Sequence, residues 1–450
     1  MTRAPDVAAA GRRYVTVCVL FWLPMGLTIA PLILLFTERG MTMAAIAGFF
    51  AAHSLTAAAL ELPTGGLSDV LGRRAVLAAA GLLNLAALAL QGLGTSPWVL
   101  GLGMVLMGTG RALSSGPAEA WYVDTVQARS GPGAELRTGL ARGSSATSAA
   151  LAVGTLLGGG LPWLLGHGPG GPGAWLGGAT SGLVLPLSVP LLLGAAVEVA
   201  FVLYVLTALP EPPRPAATLR GVLRGIPGTV AGGLRLGGRD ATVRRVFLSA
   251  GSAGGALALV ELLTPGRAAA LTGASESGAV LFAALACTGF VCAGLGSHLA
   301  PLAARLAGSG ERAVLLGLGA GASGLLLLGA TAAFTGVASM VLAVAGYGLV
   351  YLGVGAAGPS ENDLLHRRVT SAHRATALSV QSLALQLAGA VTGLAAGALR
   401  PGPLPWLLAG AVLLAGALLW TRRPAPELPT AASGRAGDGE AVASGVGRRL

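Results

Sequence analysis

The chain has 450 residues, of which 54% are hydrophobic and only 10% charged, with a mean hydropathy of +0.74. Soluble domains carry roughly a quarter charged residues, so this composition leaves too little polar surface for a water-soluble fold. The formal net charge of +11 comes from arginine alone, since the sequence holds no lysine. It requires no nucleic acid, because basic residues gather in the cytoplasmic loops of membrane proteins and set their orientation.

A bilayer-spanning helix needs about 20 predominantly apolar residues. In chain order the sequence predicts twelve, at 14–36, 42–67, 74–94, 97–124, 143–165, 180–209, 246–271, 277–300, 312–333, 336–360, 374–399 and 402–421. The first has no charged residue. It exceeds the roughly 7 to 15 residues of a signal-peptide core, and no small-residue cleavage pattern follows it. With the N-terminus in the cytoplasm, 25 of the arginines fall on that side, against Arg39, Arg267 and Arg400 outside and Arg111 within the fourth span. That bias predicts a multi-pass protein of the cell membrane with both termini cytoplasmic.

The longest cytoplasmic connection, residues 210–245, opens with Pro210, Pro212, Pro213 and Pro215 and divides the spans six and six. It reads as a linker between an N-terminal bundle, 1–209, and a C-terminal bundle, 246–421. The tail, 422–450, is too rich in Gly, Ala, Pro and Ser to bury a core and is predicted to be disordered. The external stretch 166–178 reads as a flexible Gly/Pro loop. The halves also repeat. Gly116-Pro117-Ala118-Glu119 returns as Gly358-Pro359-Ser360-Glu361, and Arg137-Thr138-Gly139 returns as Arg374-Ala375-Thr376. The expected fold is therefore an all-α integral membrane protein of twelve helices in two pseudo-symmetric six-helix bundles. A binding site is expected near the midplane between them. Cys18, Cys287 and Cys292 lie in apolar spans, so no disulfide framework is expected. Cys287 and Cys292, with His298, read as packing, because an i, i+5 spacing does not put two ligands on one helical face.

At the end of the second span stands Glu61-Leu62-Pro63-Thr64-Gly65-Gly66-Leu67-Ser68-Asp69-Val70-Leu71-Gly72-Arg73-Arg74. This segment resembles the signature of the major facilitator superfamily, with Gly65, Asp69, Gly72, Arg73 and Arg74 in register and Val70 where a basic residue is usual. Ser115 to Asp124 resembles the fourth helix of a bacterial branch of that superfamily, and Gly296, Arg305, Gly308 and Arg312 resemble a weaker second copy of the signature. The resemblance covers about residues 14–421. It implies that Asp69 binds the N-terminus of the eleventh helix, where the macrodipole favours an anion. It also implies that Asp124 pairs with Arg73, the whole forming a latch that shuts the cytoplasmic side.

Ionisable residues at membrane depth cost about 2.5 to 3.5 kcal/mol each on insertion scales and usually face the bundle interior. Arg111 resembles the fourth-helix arginine of drug/proton antiporters and is expected to face the cavity. Eight residues of straight helix would hold it about 12 Å from Glu119, too far for a direct bond. Glu119 and Glu61 are candidate proton carriers or latch members. His53, Glu198 and Glu261 are weaker candidates, since a neighbouring helix can satisfy a single polar residue. Gly154 to Gly159 resembles an exporter motif with Thr155 in place of proline. Gly319 to Gly324 matches a dinucleotide fingerprint in letters but follows no strand, so it reads as helix packing, and no Walker motif is present.

These readings converge on a monomeric secondary transporter working by alternating access. Its expected partners are a small-molecule substrate, protons and the lipid bilayer, with no cofactor beyond the proton gradient and no enzymatic activity. Efflux of a small organic molecule or drug is the leading expectation, with proton-linked uptake as the alternative. A membrane-embedded enzyme or receptor is disfavoured because the five histidines are scattered without a catalytic cluster. The orientation is directly testable in a background lacking the three cysteines. Thr2→Cys and Ser433→Cys should resist membrane-impermeant thiol reagents added outside intact cells, and labelling of either would reverse the topology.

Overall fold

In the computed structural model every regular element among the described residues is a helix. The structure describes residues 6–131, 133–166, 171–211, 232, 235, 237–334, 336–369 and 374–421, without the side chains of 62–66, 69, 374 and 375. The first half comprises α1 (Val7–Ile29), α2 (Leu32–Glu38), α3 (Met43–Leu71), α4 (Arg73–Leu93), α5 (Pro97–Ser114), α6 (Pro117–Ser130), α7 (Arg137–Gly166), α8 (Pro172–Ala179) and α9 (Val189–Ala208). The second comprises α10 (Ala241–Thr272), α11 (Ser275–Ala307), α12 (Gly310–Thr331), α13 (Val337–Arg368), α14 (Arg374–Gly397) and α15 (Pro403–Leu418).

Among the described residues nine helices are long and apolar enough to cross a bilayer, or ten if α1 and α2, which meet at 44°, count as one bent span. The chain is a multi-pass membrane protein. The other two predicted spans depart from a simple crossing: 97–124 is divided into α5 and α6, and α15 has only 16 residues. Boundaries also differ, because an apolar window marks contact with lipid whereas a helix ends where its hydrogen bonds end. Thus α3 runs on to Leu71, α7 starts at Arg137 and α13 extends to Arg368. The predicted sixth span starts late, at Val189, after a 3-10 turn at Pro186–Ser188. The supposed flexible loop 166–178 contributes most of α8. Residues 212–231 of the predicted linker and all of the predicted tail lie outside the described residues.

Local signals explain several starts. Asp240 accepts from the backbone N–H groups of Thr242 (2.7 Å) and Val243 (3.0 Å) to cap α10, and Ser309 accepts from Arg312 (3.2 Å) to cap α12. Proline opens α5, α6 and α15, where its missing N–H costs nothing.

Packing sorts the helices into two sets with the same pattern. In the first, α1 meets α7 and α9, α5 meets α3 and α4, and α4 meets α9. In the second, α10 meets α14 and α15, α13 meets α11 and α12, and α12 meets α15. The sets touch through α3 on α14 and α7 on α11, which are themselves equivalent pairs. Glycines bring the sets close at the far end of the bundle, opposite the start of α1. A Cβ on Gly159 would stand 2.6 Å from the carbonyl oxygen of Ala279, and one on Gly397 would stand 2.5 Å from the Cβ of Ala47. Only glycine permits such contact.

Two arginines brace this far end in parallel ways. Arg39 donates through Nη2 to the carbonyls of Gly92 (2.7 Å) and Leu183 (3.0 Å) and to Ser188 Oγ (3.2 Å), joining the ends of α4 and α9. Arg267 donates to the Thr331 carbonyl and to Ser339 Oγ (3.4 Å), joining the end of α12 to the start of α13. Charged donors make hydrogen bonds worth about 1.5 to 3 kcal/mol. Arg39→Gln and Arg267→Gln should each destabilise the protein by about 2 kcal/mol, read as a lower melting temperature of detergent-solubilised protein. An unchanged melting temperature in both would remove these residues as braces.

Candidate functional site

A cavity of about 910 Å³ occupies the end of the bundle where α1 begins. Its walls come from α1, α3, the α5–α6 junction, α7 and α14, so both helix sets contribute. The junction is its most distinctive wall. Ser115 and Gly116 are exposed, and Gly116 adopts φ 96°, ψ −29°, a left-handed conformation that costs a residue with a Cβ roughly 1–2 kcal/mol. Arg111, in the last turn of α5, and Glu119, in the first turn of α6, both line the cavity. The straight helix that the sequence predicts between them is thus replaced by a break. Each charge is supported by its own helix end, a cation at a C-terminus and an anion at an N-terminus.

Across the cavity Glu61 bridges the two sets. Its Oε2 accepts from Gln386 Nε2 (2.8 Å) and Ser382 Oγ (3.2 Å), both on α14, and Gln386 also donates to Ser382 Oγ (3.3 Å). Neither α14 residue is singled out by the sequence, although both fall on the helix that the family resemblance assigns to the latch. Tyr14 and Trp22 on α1 and Ser144, Thr147 and Ser148 on α7 complete much of the lining.

The signature segment lies beside this cavity. The expected loop reduces to one residue, Gly72, at φ 97°, and Gly65 and Asp69 belong to the last turns of α3. The side chain of Asp69 lies outside the described residues. Arg73 pairs with Asp124 at 2.9 Å, within the first helix set. Glu211, which the sequence reading passes over, caps α4 by accepting from the backbone N–H groups of Arg73 (3.0 Å) and Arg74 (3.3 Å). Trp121 is fully buried and donates to the Pro210 carbonyl (2.8 Å), fixing the same strand of chain.

The remaining candidates separate. Arg111 lies within electrostatic reach of His53 on α3 and of Glu261 on α10. The Nδ1 atom of His53 is buried with no hydrogen-bond partner among the described residues. Glu198 is fully buried away from the cavity and accepts from Asn84 Nδ2 at 3.3 Å. Glu361, the counterpart of Glu119 in the sequence repeat, is also buried and accepts from Ser249 Oγ at 2.5 Å. The repeated tetrapeptide therefore has two outcomes, a break at Gly116 and a continuous helix through Gly358 and Pro359. Gly319 to Gly324 lies within α12, with Gly324 packed on the Gly346 carbonyl. Among the described residues no three His, Cys, Asp or Glu side chains group as metal ligands.

The chain matches no protein-family model and no curated protein. Solved structures do resemble it. The nucleoside transporter NupG aligns over 92% of this chain and 98% of its own, with a TM-score of 0.71 at 14% identity. The chain shares that protein's fold. A bacterial homologue of the human lysosomal transporter Spinster, in an inward-facing and unoccupied conformation, aligns over 93% and 96% with a TM-score of 0.68 at 15% identity. The peptide transporter POT in complex with sulfate aligns over 92% and 93% with a TM-score of 0.63, also at 15% identity. At such identities the likeness is one of architecture.

Proposed function

We propose that the chain is a proton-coupled secondary transporter of the major facilitator type, exporting a small organic molecule by alternating access. The observation that carries this reading is the cavity of about 910 Å³ between the helix sets, open at one end of the bundle while the other end is packed backbone against side chain and carbonyl. In this proposal the helices form twelve spans in two six-helix domains, 1–209 and 246–421, joined by a cytoplasmic linker. The arginine distribution supports a cytoplasmic location for the open end, which makes the described state inward-facing. Rocking one set against the other would then open the far end. The resemblance of Gly154 to Gly159 to an exporter motif favours efflux, with proton-linked uptake as the alternative direction.

Coupling falls to Glu61 or Glu119. Both line the cavity, and the bonds from Gln386 and Ser382 to Glu61 join its carboxylate to the contact between the sets. A proton on Glu61 would weaken one acceptor in that contact, so loading a proton and moving the sets become linked events. In the described state Asp124 holds Arg73 within its own set. Asp69 is assigned the reciprocal task of meeting α14 when the cytoplasmic end shuts.

Glu119→Gln or Glu61→Gln, at least one of the two, should abolish gradient-driven transport in proteoliposomes, and the Glu61 variant should keep substrate binding. If both variants retain gradient-driven flux, neither carries the coupling proton. Asp69→Asn should insert normally yet lose most transport and show greater cytoplasmic accessibility of cavity cysteines. Transport at the wild-type rate would exclude the latch.

A further inference from the structure

The described charged side chains at depth are mostly engaged. Glu198 has Asn84, Glu361 has Ser249, Glu61 has Gln386 and Ser382, and Arg73 has Asp124. Arg111 and Glu119 differ. Both are exposed into the cavity, and neither charged group makes a hydrogen bond or ion pair among the described residues. They do not pair with each other, because the break at Ser115–Gly116 sets them on two separate helix ends. Ionised groups at such depth persist only when their cost is offset, and here each is offset by its own helix end, Arg111 also by the more distant charge of Glu261 on α10. Their hydrogen-bonding capacity is left for a ligand.

The rest of the lining agrees in sign and polarity. Arg111 and Arg137 balance Glu61 and Glu119, so the cavity walls carry no net formal charge. Hydroxyls of Ser115, Ser144, Thr147 and Ser148 line the same space. A purely cationic solute would meet the Arg111 guanidinium, which no ion pair engages among the described residues, and a purely anionic one the Glu119 carboxylate, equally unpaired there. Like-charge juxtaposition of this kind is how a site rejects wrong ligands. A solute bearing both charges meets neither penalty.

We infer that the cavity takes a zwitterionic polar solute, its anionic group bound by the Arg111 guanidinium and its cationic group by the Glu119 carboxylate. This inference rests on the transporter reading for its purpose but not for its test. Thermal stabilisation of the purified full-length protein in detergent can be compared across matched probes. Suitable scaffolds are phenylalanine, 4-(aminomethyl)benzoate and alanylalanine, each as the zwitterion, the methyl ester and the N-acetyl derivative. Tetraphenylphosphonium serves as a lipophilic cation.

At least one zwitterion should stabilise the protein, with each masked form about tenfold weaker or more. Arg111→Gln should erase the preference for free carboxylate over ester, and Glu119→Gln the preference for free amine over amide. Because each variant is read as a ratio between two probes, a general loss of stability cancels. Masked forms binding as well as the zwitterion would overturn the inference. So would tetraphenylphosphonium stabilising most strongly, or no zwitterion stabilising at millimolar concentration. A lipophilic compound carried across proteoliposomes would refute the substrate class and leave transport standing, whereas zwitterion binding without any flux would do the reverse.

Discussion

Inside a bilayer every backbone N–H and C=O must find its partner within the protein, so a helix can break only where protein or water takes over its freed groups. The break at Ser115–Gly116 obeys that constraint. Ser114 Oγ donates to the Arg111 carbonyl at 2.9 Å, the Ser115 N–H reaches the Ala112 carbonyl at 3.4 Å, and Pro117 brings no N–H to satisfy. What remains faces the cavity. The same break presents a negative helix end beside Arg111 and a positive one beside Glu119, which is why a base and an acid can coexist at this depth without neutralising each other. Site and backbone defect are one feature.

Much of the architecture was legible because bilayers impose a simple rule on composition. The order of the apolar segments, the repeat, and the helix start at Arg374 can all be read from residues, whereas α7 begins at Arg137, ahead of the predicted span at 143–165. The break could not. Gly-Pro-x-Glu occurs twice, and in the second copy the helix runs on, with Glu361 taken up by Ser249 on α10. The local sequence is nearly the same, so the decision lies in what each copy packs against. Glu211 was invisible for a related reason, since the N–H groups it caps are more than a hundred positions away. The partners of Glu61 on α14 were hidden in the same way.

The two helix sets share more than their contact pattern. Arg39 and Arg267, two of the few arginines that the predicted topology leaves outside, reach equivalent carbonyls at the ends of α4 and α12. An arginine on that side contradicts the general bias of the chain, and its retention in both halves is explained by the carbonyls it satisfies. Symmetry is broken where the chemistry is. Glu119 is open to the cavity while its counterpart Glu361 is closed off, so the first half supplies most of the cavity lining and the second a single wall.

The far-end contact of Gly159 with Ala279 involves no side chain that could rotate aside. A bulky gate residue can flicker between rotamers in nanoseconds and admit a water or an ion at each excursion. A seam made of glycine against a carbonyl has no such partial states. In the proposed alternating-access cycle it would part only when α7 and α11 move away from each other along their length, a collective displacement on the microsecond to millisecond scale. Leakage of protons past a closed seam of this kind is therefore suppressed by geometry, and the slowness of opening is a direct cost of the tightness of the seal.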